Sequence, residues 1–185
     1  MTGVAIGSDG LLRCSWAVRT PLYEAYHDDE WGRPVKDDNA LFEKISLEAF
    51  QSGLSWITIL RKRPAFRAAF RDFDIEKVAK FRERDVQRLL NDAGIVRNRS
   101  KIEATIHNAR IAQDLPLGEI LWSFAPQPRP RREPIPATSP ESIAMAKDLR
   151  KRGFRFVGPT TAYALMQATG MVDDHHPGCF VEPVA

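Results

Sequence analysis

The stretch KRGFRFVGPTT, residues 151–161, joins two segments of helical periodicity and indicates the fold class. The preceding pattern PESIAMAKDLRKRG predicts a helix that ends at Gly153, where a glycine readily takes the left-handed conformation of a helix terminus. Gly158 and Pro159 then begin the next helix, with proline in the favoured first-turn position. The turn through residues 154–157 is short, so we predict a helix–hairpin–helix unit.

This unit has the features of a phosphate-binding surface. Its second helix would direct free backbone N–H groups and a positive dipole end outward, beside Lys151, Arg152 and Arg155. Between residues 126 and 160 there are eight basic and three acidic residues, whereas the whole chain carries a net charge of only +3. We therefore predict that Arg155 and Gly158 contact DNA. The alternative is an ordinary helical hairpin with glycine caps and a solvated basic face.

Helical spacing also dominates the rest of the chain. DDNALFEKISLEAFQSG predicts a helix that closes at Gly53, and LSWITILRKR predicts another that stops at Pro64. Six more segments have the same periodicity: PAFRAAF, IEKVAKF, RDVQRLLNDAG, RSKIEATIHNARIAQ, LGEILWSFA and PTTAYALMQATG. PQPRPRREPIPATSP, residues 126–140, reads as an extended surface connection. We predict an all-α fold.

The length and composition are those of a globular protein that can bury a hydrophobic core without the support of disulfide bonds. The chain has 185 residues, of which 43% are hydrophobic and 28% are charged. No segment resembles a signal peptide or a membrane span, so we expect a cytoplasmic protein that does not bind membranes. In that compartment two cysteines are better suited to be thiols or metal ligands than a disulfide.

Cysteine and histidine residues are concentrated near the two ends of the chain. Cys14 and His27 lie near the beginning, and His175 and Cys179 lie in the tail DDHHPGC. Two cysteines and two histidines suit a tetrahedral zinc ion whose filled coordination makes it structural. We predict that this zinc ties the N-terminal segment to the C-terminal tail. A Cys14–Cys179 disulfide is the alternative, and we expect His107 and His176 to be surface residues.

Glu48 is the most unusual polar residue of the first long helical pattern. It lies three residues after Ile45 and seven after Leu41, on the stripe that is otherwise apolar. A carboxylate buried there requires a partner or a function. Either it pairs with an arginine at the edge of the core, or it lines a pocket whose walls include nearby aromatic residues. Those aromatic candidates are Tyr23, Tyr26, Trp31 and Trp56.

Taken together, these segments resemble one known family over nearly the whole chain, from Arg13 to Cys179. RCSWA, PLYEAYHDDEWG, LFEKISLEAFQSGLSWITIL, NDAGIVRNRSKI and KRGFRFVGPTTAYALMQATGMVDDH are similar to the 3-methyladenine DNA glycosylase I (Tag) family. The resemblance implies a helix–hairpin–helix glycosylase fold with the same four zinc ligands. It also implies monofunctional excision of N3-methyladenine from alkylated double-stranded DNA, which leaves an abasic site.

The resemblance assigns roles to individual residues. It makes Glu48 the pocket carboxylate, Tyr26 and Trp56 the residues that stack on the base, and Tyr23 part of the pocket wall. Gly53 and Leu54 match the segment that enters the gap left by the flipped nucleotide. The known members begin near Arg13, so residues 1–12 are expected to be a disordered extension of a single unit formed by residues 13–185. We expect this unit to act as a monomer.

Two other functions are compatible with parts of the pattern. A noncatalytic DNA-binding protein would retain the hairpin without needing a base pocket. A zinc hydrolase would need an open coordination position, which a four-ligand set does not leave.

Overall fold

The computed structural model describes residues 3–131 and 133–183, and most of these residues are helical. The α-helices are α1 (Pro21–Asp29), α2 (Asp38–Gln51), α3 (Trp56–Ala69), α4 (Ile75–Ala79), α5 (Glu83–Asn91), α6 (Arg99–Ala112), α7 (Leu117–Trp122), α8 (Pro140–Lys151) and α9 (Pro159–Ala168). A short antiparallel hairpin of β1 (Val4–Ile6) and β2 (Leu12–Cys14) precedes them. Within the described ranges, no helix is long and apolar enough to cross a membrane.

Side-chain caps determine where several helices begin. The carboxylate of Asp37 accepts a hydrogen bond from the backbone N–H of Ala40 at the start of α2. Asn98 caps α6 in the same way, and Ser139 caps α8 with a proline in its first turn. Each cap satisfies a backbone donor that the helix itself leaves free. These polar residues therefore define helix starts that apolar periodicity alone locates only loosely.

The hydrophobic core lies between α2, α3, α6, α8 and α9. Aromatic rings pack within it. The ring centroids of Phe50 in α2 and Phe66 in α3 lie 4.7 Å apart, and those of Phe70 and Phe73, which follow α3, stack at 5.4 Å. Helix α9 packs against both α8 and α2. This packing brings the C-terminal half of α2, which carries Glu48, beside the middle of α9.

The predicted helix end at Pro64 is wrong. Helix α3 continues through Pro64 to Ala69. Proline removes one intrahelical hydrogen bond, but the residues on either side keep the helix packed against the core. Phe66 and Ala69 beyond the proline are buried, as are Ile59 and Leu60 before it. Burial on both sides outweighs the local cost of the proline.

The expectation of a disordered N-terminal extension is also wrong for its described part. Strand β1 pairs with β2 in the register Val4 to Cys14. Asp9 in the connecting turn binds the buried guanidinium of Arg13, with a distance of 2.7 Å between the carboxylate and Nη1. A backbone ladder and a charge-assisted pair together hold this segment in place. Residues 1 and 2 lie outside the described ranges.

The proline-rich connection lies against the C-terminal tail. Arg131 donates to the carboxylate of Asp173 at 2.8 Å and to the backbone carbonyl of Val181 at 2.6 Å. Arg129 donates to the hydroxyl of Tyr163 at 3.0 Å. These arginines therefore have internal partners. His176, expected at the surface, is buried and hydrogen-bonded to Glu133 because the same connection covers it.

Candidate functional site

A cavity of about 350 Å³ opens between α1, α2, α3 and α9. Its walls are formed by Trp16, Tyr23, Tyr26, Trp31, Glu48, Gln51, Trp56, Ile135, Ala164 and Gln167. The carboxylate and all four aromatic residues selected from the sequence thus lie around one cavity. Its size falls in the range of pockets that hold small organic ligands.

Glu48 supplies the acidic group of this cavity. Its side chain is buried on the inner face of α2, and within the described part of the chain it has neither a hydrogen bond nor an ion pair. Burial raises the pKa of Glu48 from 4.5 to about 8, and the charge of Lys44 opposes this rise. The predicted alternative of a carboxylate paired with arginine is therefore not found in these residues. The acid is instead available to a ligand.

Aromatic rings make up most of the cavity wall. The centroids of Tyr26 and Trp56 lie 5.6 Å apart, and those of Trp16 and Tyr23 lie 5.5 Å apart in an edge-to-face contact. Trp31 packs against Trp16 in the same manner at 5.2 Å. Burial raises the pKa of Tyr26 well above its usual range, so its phenol stays neutral. The faces of such rings attract a flat cation.

Five lining residues were not anticipated from the sequence: Trp16, Gln51, Ile135, Ala164 and Gln167. Gln51 had a detectable signal, because it follows Glu48 by one helical turn and so shares its face. Gln167 reaches the cavity from α9 and donates to Asp174 at 3.0 Å. Ile135 comes from the proline-rich connection. Only the tertiary fold brings these last two residues to α2.

A second group of polar residues joins the two ends of the chain. The ligand atoms of Cys14, His27 and Cys179 lie within 4.8 Å of one another, and all three residues are buried. His175 lies outside that distance but next to the group, with its ring centroid 5.0 Å from that of His27. Both cysteines are free thiols, so the predicted alternative of a disulfide is not formed.

The histidines of this group are oriented by carboxylates. Nδ1 of His27 lies 2.7 Å from Asp28, and Nδ1 of His175 lies 2.8 Å from Asp173. Arg13 holds the first carboxylate and Arg131 the second. Burial opposes ionisation of Asp173, but the bonds from His175 and Arg131 lower its pKa to about 2. Such carboxylate–histidine pairs are typical of metal sites, where they leave Nε2 free to bind the ion.

The four residues predicted to contact DNA lie in two loops. Gly53 and Leu54 form the turn between α2 and α3, where Gly53 has a φ of +81° and Leu54 is 42% exposed. Arg155 is exposed in the loop between α8 and α9, and Gly158 is the N-cap residue of α9. Among the described residues, no side chain caps α9, and a Cβ atom added at Gly158 would meet none of them within 4 Å. A Cβ atom added at Gly53 would likewise meet no other described residue within 4 Å, so both glycines face open space.

Comparison with known proteins agrees with these features. The model of the methyladenine glycosylase family matches residues 16–182. The chain is 49% identical over 181 residues to DNA-3-methyladenine glycosylase 1 of Escherichia coli (strain K12), a match that covers 92% of this chain and 97% of that protein.

Solved structures give the same result. A crystal structure of 3-methyladenine DNA glycosylase I (TAG) has a TM-score of 0.88 and 48% identity, with 92% of this chain and 100% of that chain covered. The 3-methyladenine DNA glycosylase I of Staphylococcus aureus has a TM-score of 0.85 and 34% identity, with 94% and 97% covered. The chain therefore belongs to the methyladenine glycosylase family.

Proposed function

We propose that this protein is a monofunctional DNA glycosylase that hydrolyses the N-glycosidic bond of N3-methyladenine in alkylated double-stranded DNA. The product DNA carries an abasic site. The observation that carries this proposal is the unpaired acid of Glu48 in a cavity walled by aromatic rings. A protein that only binds DNA needs no such cavity. The relatives named for this activity support the choice of substrate.

The chemistry of the damaged base suits such a cavity. A base inside a duplex is out of reach, so its nucleotide must be extruded at a cost of about a few kcal/mol, which is least for a damaged base. N3-methylation gives the purine a positive charge, which aromatic faces attract by about 1–2 kcal/mol when water is excluded. The purine leaves as a neutral molecule. Its departure therefore requires no general acid, unlike the departure of a sugar oxygen.

Glu48 can then serve both recognition and the chemical step. With a pKa of about 8, its carboxyl group is largely protonated in the empty cavity at neutral pH. A cationic purine beside it favours the carboxylate, which can accept a hydrogen bond from the exocyclic amine of adenine. The same negative charge stabilises the oxocarbenium-like sugar of the transition state. The described lining residues include no lysine, which supports water as the nucleophile.

Incubation of the protein with methylated duplex DNA tests this function. We expect chromatography to detect free 3-methyladenine, and the DNA to gain abasic sites without strand cleavage. Unmethylated DNA is the control for spontaneous base loss. Binding to methylated DNA without release of any base would contradict the proposal and favour a noncatalytic DNA-binding protein.

We also propose a structural zinc ion held by Cys14, His27, His175 and Cys179. The residues fit this ion because Nε2 of His175 is buried without a hydrogen-bond partner in the described residues, beside the two thiols and His27. A bound metal would satisfy that nitrogen and supply a cross-link between the ends of the chain. Two thiolates and two imidazoles fill a tetrahedral shell, so this zinc would not activate water.

We assign the unit formed by α8, the loop and α9 to the helix–hairpin–helix class of DNA-binding elements. The uncapped start of α9 and the exposed Arg155 support a phosphate contact there. Leu54 is proposed to enter the gap in the duplex, because it is a large apolar side chain exposed beside the cavity. In this proposal residues 13–185 act as a single unit and as a cytoplasmic monomer.

A further inference from the structure

Helix α6 contacts both loops that are proposed to meet DNA. Its first turn carries Lys101, and its second half carries Asn108. Both side chains are buried, with exposed fractions of 7% and 2%. They are seven positions apart in the sequence, so they lie on one face of α6 and are about 10 Å apart along its axis. Neither residue lines the base cavity.

Lys101 holds the turn that presents Leu54. Its ammonium group donates to the backbone carbonyl of Phe50 at 2.9 Å and to that of Ser52 at 2.6 Å. These carbonyls belong to the C-terminal end of α2, where the helix dipole is negative and favours a cation. No carboxylate in the described residues forms an ion pair with Lys101. The buried ammonium group therefore binds the backbone immediately before Gly53 and Leu54.

Asn108 holds the loop between α8 and α9. Its amide oxygen accepts from the backbone N–H of Arg155 at 2.8 Å, and its amide nitrogen donates to the carbonyl of Arg155 at 3.0 Å. His107, one residue earlier, is hydrogen-bonded to the carbonyl of Gly153 at 3.1 Å. Bonds to both backbone groups of one residue fix its peptide planes. The loop is therefore anchored at the residue expected to contact phosphate.

We propose that Lys101 and Asn108 are positioning residues that fix the separation between the Leu54 turn and the α8–α9 loop. Because α6 is a continuous helix packed into the core, it holds Leu54 and Arg155 at a constant spacing as they meet the duplex. This inference rests on the proposed function, since it assumes that both loops bind DNA together. It gives α6 a role in extruding the nucleotide without any contact to the base.

Variants at position 101 test the first half of this proposal. In Lys101→Met, the two bonds to α2 are lost while most of the side-chain volume remains. We expect affinity for a duplex with a tetrahydrofuran abasic-site analogue to fall at least tenfold, and affinity for free 3-methyladenine to change less than twofold. Lys62→Met is the matched control, because Lys62 also donates to two backbone carbonyls, those of Ala93 and Gly94. Its affinity for the duplex should stay within twofold.

A double-mutant cycle shows whether Lys101 acts through Leu54. In a Leu54→Ala background, Lys101→Met should lower the affinity for the duplex less than twofold further. An undiminished tenfold loss in that background would overturn the proposal. Equal losses of affinity for free base and duplex would also overturn it, because they would show general damage to the fold. Should Lys101→Met fail to fold, Lys101→Arg keeps the charge and donors. It should then bind the duplex within threefold of wild type, and a tenfold loss there would contradict the proposal.

Asn108→Leu tests the second half, because it removes both bonds to Arg155 in a side chain of similar size. We expect at least a fivefold loss of affinity for the duplex, with binding of the free base unchanged. Unchanged affinity for the duplex would refute the role of Asn108. These binding measurements do not require catalysis. Absence of base release by the wild-type protein would therefore count against the proposed function separately.

Discussion

The ring centroids of Tyr26 and Trp56 lie 5.6 Å apart, with their planes inclined by 47°. The two rings are not equivalent as cation-binding surfaces. Lys44 and Arg63 both lie over the ring of Tyr26, each 5.9 Å from its centroid. These cations already engage the electrons of that ring and repel a further positive charge. Trp56 has no such cation within the described residues, so it is the stronger surface for a charged purine.

Replacement of Trp56 should therefore impair excision through lost cation–π attraction. We expect Trp56→Ala to lower kcat/KM on methylated duplex DNA by about 10- to 30-fold, equivalent to about 1.4–2 kcal/mol. Trp56→Phe retains an aromatic face and should lose less than fivefold. Single-turnover kinetics with both variants would measure the difference. Equal losses for alanine and phenylalanine would show that the aromatic face has no special role.

Glu48→Gln should remove the negative charge but keep the shape of the side chain. We expect kcat/KM to fall on the order of 100-fold, the loss typical of a group that stabilises transition-state charge. Glu43→Gln is the control on the same helix, where Glu43 pairs with Arg67 outside the cavity. Excision by that variant should stay within twofold of wild type. A fully active Glu48→Gln protein would exclude Glu48 from the chemical step.

The pKa of Glu48 also predicts how stability depends on pH. Burial raises this pKa from 4.5 to about 8, so between these values the folded protein retains a proton that the unfolded chain releases. Rising pH therefore destabilises the fold until Glu48 has ionised at about pH 8. Glu48→Gln lacks this effect. Its free energy of unfolding relative to that of wild type should therefore increase by about 2–4 kcal/mol as the pH rises from 5 to 9. Urea denaturation of both proteins without DNA, at pH 5, 7 and 9, measures this difference in the free energy of unfolding. A difference that is the same at all three pH values would contradict the prediction.

Removal of the proposed zinc should destabilise the protein. We expect one zinc per chain by elemental analysis, and a melting temperature lowered by about 6–12 °C after chelation if the site contributes about 3 kcal/mol. His175→Gln should lose the metal. His176→Gln is the control, because the side chain of His176 bonds to Glu133, whereas its contact with Cys14 is through the backbone N–H, which the substitution keeps. A protein without zinc whose melting is unaffected by chelators would rule out the site.

Salt dependence should identify the phosphate contact at the loop between α8 and α9. Arg155→Ala is expected to weaken DNA binding and to reduce the slope of log K against log salt concentration by about 1. Arg84 is a suitable control, because its side chain is 88% exposed on α5 and belongs to neither loop. Arg84→Ala should leave the slope unchanged. The same slope for Arg155→Ala and wild type would place the phosphate contact elsewhere.

Local sequence signals predicted much of the fold. Apolar spacing located α2 to α9, since it acts within one or two turns, but it gave no prediction for α1. The same rules failed at Pro64, where burial of Phe66 and Ala69 preserved the helix. They also missed the pairing of Val4 with Cys14, which depends on contacts between distant residues. Periodicity therefore predicted most helices, but it did not predict features that depend on contacts between residues distant in the sequence.

The candidate site was predictable where a polar residue interrupts the apolar face of its helix. Glu48 drew attention because a carboxylate on an apolar stripe is costly to bury. Trp16 gave no comparable signal, since a lone tryptophan is usually a core residue. Ile135 and Gln167 reach the cavity from the proline-rich connection and from α9. No spacing rule links those segments to α2, so only the structure could place them together.

Both ends of the chain meet in the cluster of Cys14, His27, His175 and Cys179, so folding must close a long loop. The backbone N–H of His176 donates to the sulfur of Cys14 across 162 positions, so closing this contact encloses nearly the whole chain in one loop. The entropy cost of such a loop grows only with the logarithm of its length, but contacts this distant in sequence form slowly. The helical core, with neighbours such as α8 and α9 adjacent in sequence, can assemble first. We therefore expect closure of the two ends to be a late step of folding.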